Sequence, residues 1–330
     1  MAMISPSRPL LSRVADAVYW MGRYIERAEN VARFIAVNQN LMLDLPQGYG
    51  GQWQPIVDTT GDRAAFLERY ETATQDNVVQ FLAFDERNPN SIWSCVHEAR
   101  ENARSVRETI SSEMWEQINS LYLLIAGESR KPVPEVLPEF CHHVRMACHL
   151  FHGVTDVTMS HNETWNFIRL GTTLERADKT TRMLDVKYFI LLPSVRDIGT
   201  PYDDIQWGAV LKSVSGFEMY RKRYGRISPD RIVEFLLLDG EFPRAVRYCV
   251  GLADQSLHAI TGTSGAFSCV SEQRIGMLRS ELDYAQVEAV LKAGLHEFFD
   301  ALEGKMNTID ECIRRDFFAL EPVVAGAAGV

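Results

Sequence analysis

One segment of this chain occurs twice, and no other feature constrains its fold as strongly. Tyr19-Trp20-Met21-Gly22-Arg23-Tyr24-Ile25-Glu26-Arg27-Ala28-Glu29-Asn30-Val31-Ala32-Arg33 returns as Leu170-Gly171-Thr172-Thr173-Leu174-Glu175-Arg176-Ala177-Asp178-Lys179-Thr180-Thr181-Arg182. At the offset of 149 that takes Glu26 to Glu175, the residues Gly22, Glu26, Arg27, Ala28 and Arg33 meet identical partners, and Glu29 meets Asp178. A second correspondence needs no gap. At the offset of 154 that takes Trp53 to Trp207, Arg69, Tyr70, Phe81, Leu82, Asp85, Pro89 and Cys95 meet Arg223, Tyr224, Phe235, Leu236, Asp239, Pro243 and Cys249. The two offsets differ by five residues, a loop-length difference. The spacing therefore predicts a tandem duplication of a unit of about 150 residues, a period too long for a solenoid repeat. The first helical half spans 1-150 and the second 151-330, as two bundles or one continuous bundle, with 322-330 a frayed tail.

The apolar positions Val14, Val18, Met21, Ile25, Ala28, Ala32 and Ile35 advance by alternating steps of four and three, which marks one face of a long helix. A second stripe of Trp20, Tyr24, Val31 and Phe34 makes that helix apolar on two sides and sends it through the interior. Arg27 falls inside the second stripe, and Glu26, Asn30 and Arg33 line a flank, so charge is drawn toward buried surface and has to be paired there. The helix gives out near Pro46. Each half then repeats a Trp-led helix, a helix ending in Phe-Leu-x-x-Asp, a proline turn and a long helix, while Pro132, Pro134 and Pro138 break the chain before the next one. No alternating run is bounded by hairpin signals, so the expected class is all-α.

Composition narrows the function. A net charge of −10 excludes a protein that wraps nucleic acid, because such binding depends on clustered Lys and Arg. The amino terminus has no cationic region leading into an apolar run, and no stretch reaches the roughly 18 apolar residues of a membrane span, which makes the cytoplasm the default location. Six cysteines without a Cys-x-x-Cys pair read as reduced core residues.

Glu26 and Arg27, with Glu175 and Arg176, are the leading site candidates. On one reading they meet in a cleft where arginines clamp a carboxylate or phosphate and Glu26 serves as a base. On the other, each Glu and Arg satisfies its counterpart across a helix interface and fixes the register of the bundle, with Arg23, Glu29, Arg33, Asp178 and Arg182 completing a structural cluster. Asp85 and Asp239 are expected to cap the helices that restart after Pro89 and Pro243. Glu139 and His142 have Glu-x-x-His spacing, and Cys141, Cys148 and His152 follow near one helix face, making them weak metal candidates. A di-iron centre needs a second such pair, and the chain has none. Gly-rich phosphate loops and zinc-protease motifs are also missing, and no cofactor is called for.

The run Leu11-Ser12-Arg13-x-Ala15-Asp16-x-x-Tyr19-Trp20-Met21-Gly22-Arg23-Tyr24-x-Glu26-Arg27-Ala28-Glu29 resembles the opening of the bacterial alpha-E family. The likeness continues through Phe84-Asp85-x-x-Asn88-Pro89-x-Ser91-Ile92, Glu101-Asn102-Ala103-Arg104, Gly153-Val154-x-x-x-Thr158-Met159 and Leu170-Gly171-x-x-Leu174-Glu175-Arg176-Ala177. The resemblance implies an all-helical protein without an established reaction. It also implies genes beside those for an ATP-grasp-type amide ligase and a transglutaminase-like peptidase, sometimes with a proteasome-like peptidase. On that basis the expected role is an accessory one in making, modifying or trimming peptide or amide products, binding a partner or peptide; the alternatives are an enzyme in its own right using the Glu-Arg cluster, or a metal-dependent bundle. The chain departs from the family pattern at His161-Asn162, where an Arg-Asp pair is usual, at Thr164 in place of Gly, and at Thr172 in place of Arg. That loss of charge directs attention to Arg23, Glu26 and Arg27 of the first copy.

Overall fold

The computed structural model describes residues 10–44, 53–129, 133–190, 201–265 and 267–319, and the tail expected at 322–330 lies outside them. In chain order the helices are α1 (Ser12–Asp44), α2 (Gln54–Thr60), α3 (Arg63–Leu67), α4 (Gln75–Val79), α5 (Ile92–Ser105), α6 (Ser112–Glu128), α7 (Val133–Thr158) and α8 (Glu163–Ile190). They continue with α9 (Pro201–Ser213), α10 (Phe217–Tyr224), α11 (Pro229–Leu238), α12 (Val246–Thr261), α13 (Val270–Tyr284), α14 (Val287–Ala293) and α15 (Leu295–Ile313). Among the described residues there is no strand, as the all-α expectation requires.

The two Glu-Arg helices, α1 and α8, lie side by side at the centre, with α5 and α7 on α1 and α12 and α15 on α8. All seven positions of the first α1 stripe are buried, as are Val31 and Phe34 of the second, while Trp20 and Tyr24 are partly covered. Burial on both sides explains why the helix carries apolar residues on two faces. The shorter helices interleave: α2 packs on α8 and α9 on α1. One continuous apolar core joins residues from before and after position 150.

Local structure follows the repeated spacing closely. Helix α5 begins at Ile92 and α12 at Val246, and α11 covers Pro229–Leu238, the counterpart of Gln75–Phe84. In the earlier stretch the last turn, Gln80–Phe84, widens to a π-helix.

Two expectations are corrected. Asp85 and Asp239 do not cap α5 and α12. Ser91 caps α5, accepting from the Ser94 backbone N–H at 3.1 Å, and α12 has no side-chain cap. Each aspartate instead closes the turn before the proline. Asp85 Oδ1 accepts the Arg87 N–H at 2.9 Å, and Asp239 Oδ1 accepts the Glu241 and Phe242 N–H groups at 2.8 and 2.7 Å. The other carboxylate oxygen takes Arg69 in the first case and Arg223 in the second. Asp is suited to both tasks because its short side chain mimics a backbone turn and still presents a free oxygen. Pro138 likewise fails to break the chain and lies inside α7. Being close to the start of that helix, it forfeits a single backbone bond that 26 residues of helix can absorb.

Candidate functional site

The site is the interface of α1 and α8, where every charge of the repeated motif is engaged. Glu26 Oε1 and Oε2 accept Arg176 Nε and Nη2 at 3.0 and 2.7 Å. In the exchanged sense, Glu175 Oε1 and Oε2 accept Arg27 Nε and Nη2 at 2.7 and 2.9 Å. Both glutamates are fully buried. Two-point arginine-carboxylate pairs of this kind fix relative orientation as well as neutralising charge.

Additional cations complete each half. Arg23 Nε reaches Glu175 Oε2 at 2.9 Å and its Nη1 meets Asp310, which also accepts the Tyr19 hydroxyl; Lys179 stands 3.5 Å from Glu175. On the other side Arg244 spans two carboxylates, Nη1 to Glu26 Oε1 at 2.9 Å and Nη2 to Glu29 Oε2 at 2.8 Å. Arg33 pairs with Glu29 and donates to the Ser215 hydroxyl. Asp178 accepts Lys179 and Arg182 at 3.0 Å, and Arg182 extends to Glu303, also at 3.0 Å. Arg27 Nη1 donates to Asn90 Oδ1 at 2.6 Å, and Asn90 donates to Asp62 at 2.7 Å. Two histidines of α7 approach from the outside: His152 Nε2 is 3.3 Å from Glu26 Oε2 and His149 Nε2 is 3.2 Å from Glu29 Oε1.

Burial alone would raise the acids, but the adjacent guanidiniums prevail. Arg176 and Arg244 hold Glu26 well below the usual carboxylate range, and Arg27, Lys179 and Arg23 do the same for Glu175. Burial lowers both His152 and His149, and nearby arginines reinforce the effect. Arg33 is pushed down to about 8 by burial and by Arg244 and Arg145. A carboxylate fixed this firmly as an anion is a weak proton acceptor, since a general base works best with a pKa near the operating pH. The nearby Cys95 and Cys249 thiols, pushed by burial up to about 12, are poor nucleophiles as well.

All nine charged residues of the expected cluster are thus engaged, in two ion-pair networks, one around Glu26 and Glu29 and the other around Glu175 and Asp178. The suggested metal group does not assemble. Glu139 and His142 are exposed near the start of α7, Cys141 and Cys148 face the core, and His152 turns to Glu26. Among the described residues no three His, Cys, Asp or Glu side chains gather as they would around a metal ion.

Several members fall outside the expected cluster: Arg244, Asn90, Asp310, Lys179, His149 and the role of His152. A signal existed for two of them. Asn90 and Arg244 are counterparts at the offset of 154, each just after the repeated proline, and each contacts α1 at the Glu-Arg motif, through Arg27 and Glu26 respectively. Asp310 belongs to α15, for which the repeat offers no guide.

A family model for Alpha-E, described as a predicted alpha-helical domain with a conserved ER motif, matches residues 10–318. The chain is 24% identical over 334 residues to an uncharacterized protein of Mycobacterium bovis and equally to uncharacterized proteins of two Mycobacterium tuberculosis strains. Each match covers 93% of this chain and 37% of the relative, so the chain spans well under half the length of these relatives. No solved structure matches.

Proposed function

The chain belongs to the alpha-E family, and from the state of its Glu-Arg core we propose that it is a non-catalytic helical module that binds a partner or a peptide substrate for an ATP-grasp-type amide-ligase and transglutaminase-like peptidase system. The observation that carries the non-catalytic reading is the saturation of Glu26 and Glu175, both fully buried and met at both oxygens by guanidinium groups. Groups so engaged fix the register of α1 against α8. The ligase association is drawn from membership of the family. The exchanged ion pairs and the matching helix starts at Ile92 and Val246 support an internal duplication whose halves form one bundle. Among the described residues no helix is long and apolar enough to cross a membrane, and the cytoplasm is the location we assign.

The test is reconstitution. The protein should co-purify with an ATP-grasp-type ligase from the same organism, and ligase turnover should fall when it is withheld. A ligase that neither binds the protein nor responds to it defeats the reading. Turnover of a peptide or amide by the isolated protein, abolished in a folded Glu26→Gln variant, would replace it with the enzyme alternative.

A further inference from the structure

The two sides of the α1–α8 interface carry different charge at the positions of Arg23 and Thr172. Arg23 and Thr172 correspond at the offset of 149. Where Arg23 supplies Glu175 with a further cation, Thr172 has only a hydroxyl, and Glu26 draws its additional cation from Arg244 in the turn that precedes α12. The short side chain leaves space. A cleft of about 370 Å³ opens there between α7, α8 and the Leu252 turn of α12, lined by Thr172 together with His152, Trp165, Arg169 and Arg176. The volume lies at the small end of the range for small-molecule sites.

Its polar groups are incompletely used. The Thr172 hydroxyl is buried and has no hydrogen-bond partner, although the residue is only 6% exposed. Arg169 has no carboxylate within ion-pair distance among the described residues. It donates through Nε to Ser256 Oγ at 2.7 Å and through Nη2 to Asn166 Oδ1 at 3.4 Å, and its guanidinium lies 4.6 Å from the centre of the Trp165 ring. Arg176 commits Nε and Nη2 to Glu26, which leaves Nη1 outside that pair. The opposing charge is Asp156, 64% exposed and 3.5 Å from His161. An unpaired half-buried guanidinium, an orphaned hydroxyl and an aromatic face together match a ligand with one oxyanion and an apolar body.

We propose that this cleft binds a small oxyanion ligand, with Arg169 as the principal cation, Thr172 Oγ1 as a donor and Trp165 with Ile168 and Leu252 against its apolar part. The site is separate from the sealed Glu26–Glu175 core and goes beyond the partner-binding role. Its floor nevertheless touches that core through Arg176 and His152, which both contact Glu26.

Titration calorimetry on the intact protein with benzoate, phenyl phosphate and neutral benzamide tests the proposal. At least one anion should bind at millimolar concentration or below and benzamide should not. Preference between the two anions assigns a carboxylate or a phosphate monoester. Arg169→Gln should weaken binding about ten- to a hundredfold, the loss expected for a charge-assisted hydrogen bond. Thr172→Val, which preserves shape, should weaken it less while keeping the fold, and stands as the decisive variant if Arg169→Gln proves unfolded. Lack of binding by both anions, benzamide binding equal to benzoate, or unchanged affinity in folded Arg169→Gln or in Thr172→Val would each overturn the proposal.

Discussion

Gly22 of α1 and Gly171 of α8 occupy equivalent places in the repeated segment, and each lies against the backbone of the other's helix. A Cβ on Gly22 would fall well inside 3.0 Å of the Ile168 carbonyl oxygen, and one on Gly171 would fall as close to that of Tyr19. Ile168 and Tyr19 are themselves 149 apart. The close crossing brings the Glu-Arg pairs one turn further along into two-point contact. Small residues are what allow two helix backbones to approach so nearly.

Replacing either glycine by alanine should therefore force the crossing open. Alanine is the better helix former, by about 1 kcal/mol at an exposed site, so a net loss of stability would isolate the packing effect. We expect Gly22→Ala and Gly171→Ala each to cost about 1–3 kcal/mol in urea unfolding, as overpacking does. Gly127→Ala, where a Cβ would meet nothing within 4 Å, provides the control and should be neutral or stabilising.

Glu26→Gln tests the sealed core. The variant keeps the shape but leaves Arg176 and Arg244 buried against a neutral amide. Breaking a buried pair from one side costs about 3–5 kcal/mol, so a clear fall in the urea midpoint is expected. Wild-type stability in this variant would show that the pair contributes little to the fold.

The sequence revealed the central helices, their two apolar stripes and the need to pair the charges of the motif, because 3.6-residue periodicity and burial of charge are local arguments. It did not reveal which cation serves which acid. Glu26 and Arg244 are separated by 218 positions and meet only because α12 packs against α8. Thr172 illustrates the same limit. As a lost charge, it directs attention to Arg23, Glu26 and Arg27 of the first copy. In the folded chain Glu175 is served fully by Arg23 and Arg27, and the vacancy falls on the Glu26 side. Pro138 and the two turn aspartates were misread for a simpler reason, since residue type alone does not say whether a helix has started before or after it.

The pH dependence of stability carries two opposing signatures. Glu26 and Glu175 sit well below their ordinary value of 4.5 when folded, and hydroxyl and backbone donors around Glu272 overcome burial to hold it at about 2. Their contribution is present above pH 4.5 and is lost as pH falls through the folded values, because the unfolded chain then binds more protons. Glu303 runs the other way, raised to about 7 by burial and by Asp178 and Asp185 in spite of Arg182. Between pH 4.5 and 7 the folded chain holds the extra proton, so stability attributable to this residue declines as pH rises. Glu303→Gln should thus gain on the wild type between pH 5 and pH 8. A stability difference that stays flat or shrinks over that interval would contradict the assignment.

The exchanged pairs are alike in geometry but not in redundancy, which gives an ordering that mutagenesis can check. Removing Arg27 leaves Glu175 with Arg23 and Lys179, whereas removing Glu175 strands Arg27 beside Arg23 and leaves Lys179 only Asp178. Glu175→Gln should therefore be more destabilising than Arg27→Gln, with the former near the upper part of the 3–5 kcal/mol expected for a broken buried pair. In the double variant no charge of this pair remains uncompensated by the other, so its cost should fall short of the sum of the two singles by about 0.5–3 kcal/mol. Additive costs in urea unfolding would mean that the 2.7 and 2.9 Å contacts carry no coupling, and the register of α1 against α8 would then have to be set by the Glu26–Arg176 pair and the glycine crossing.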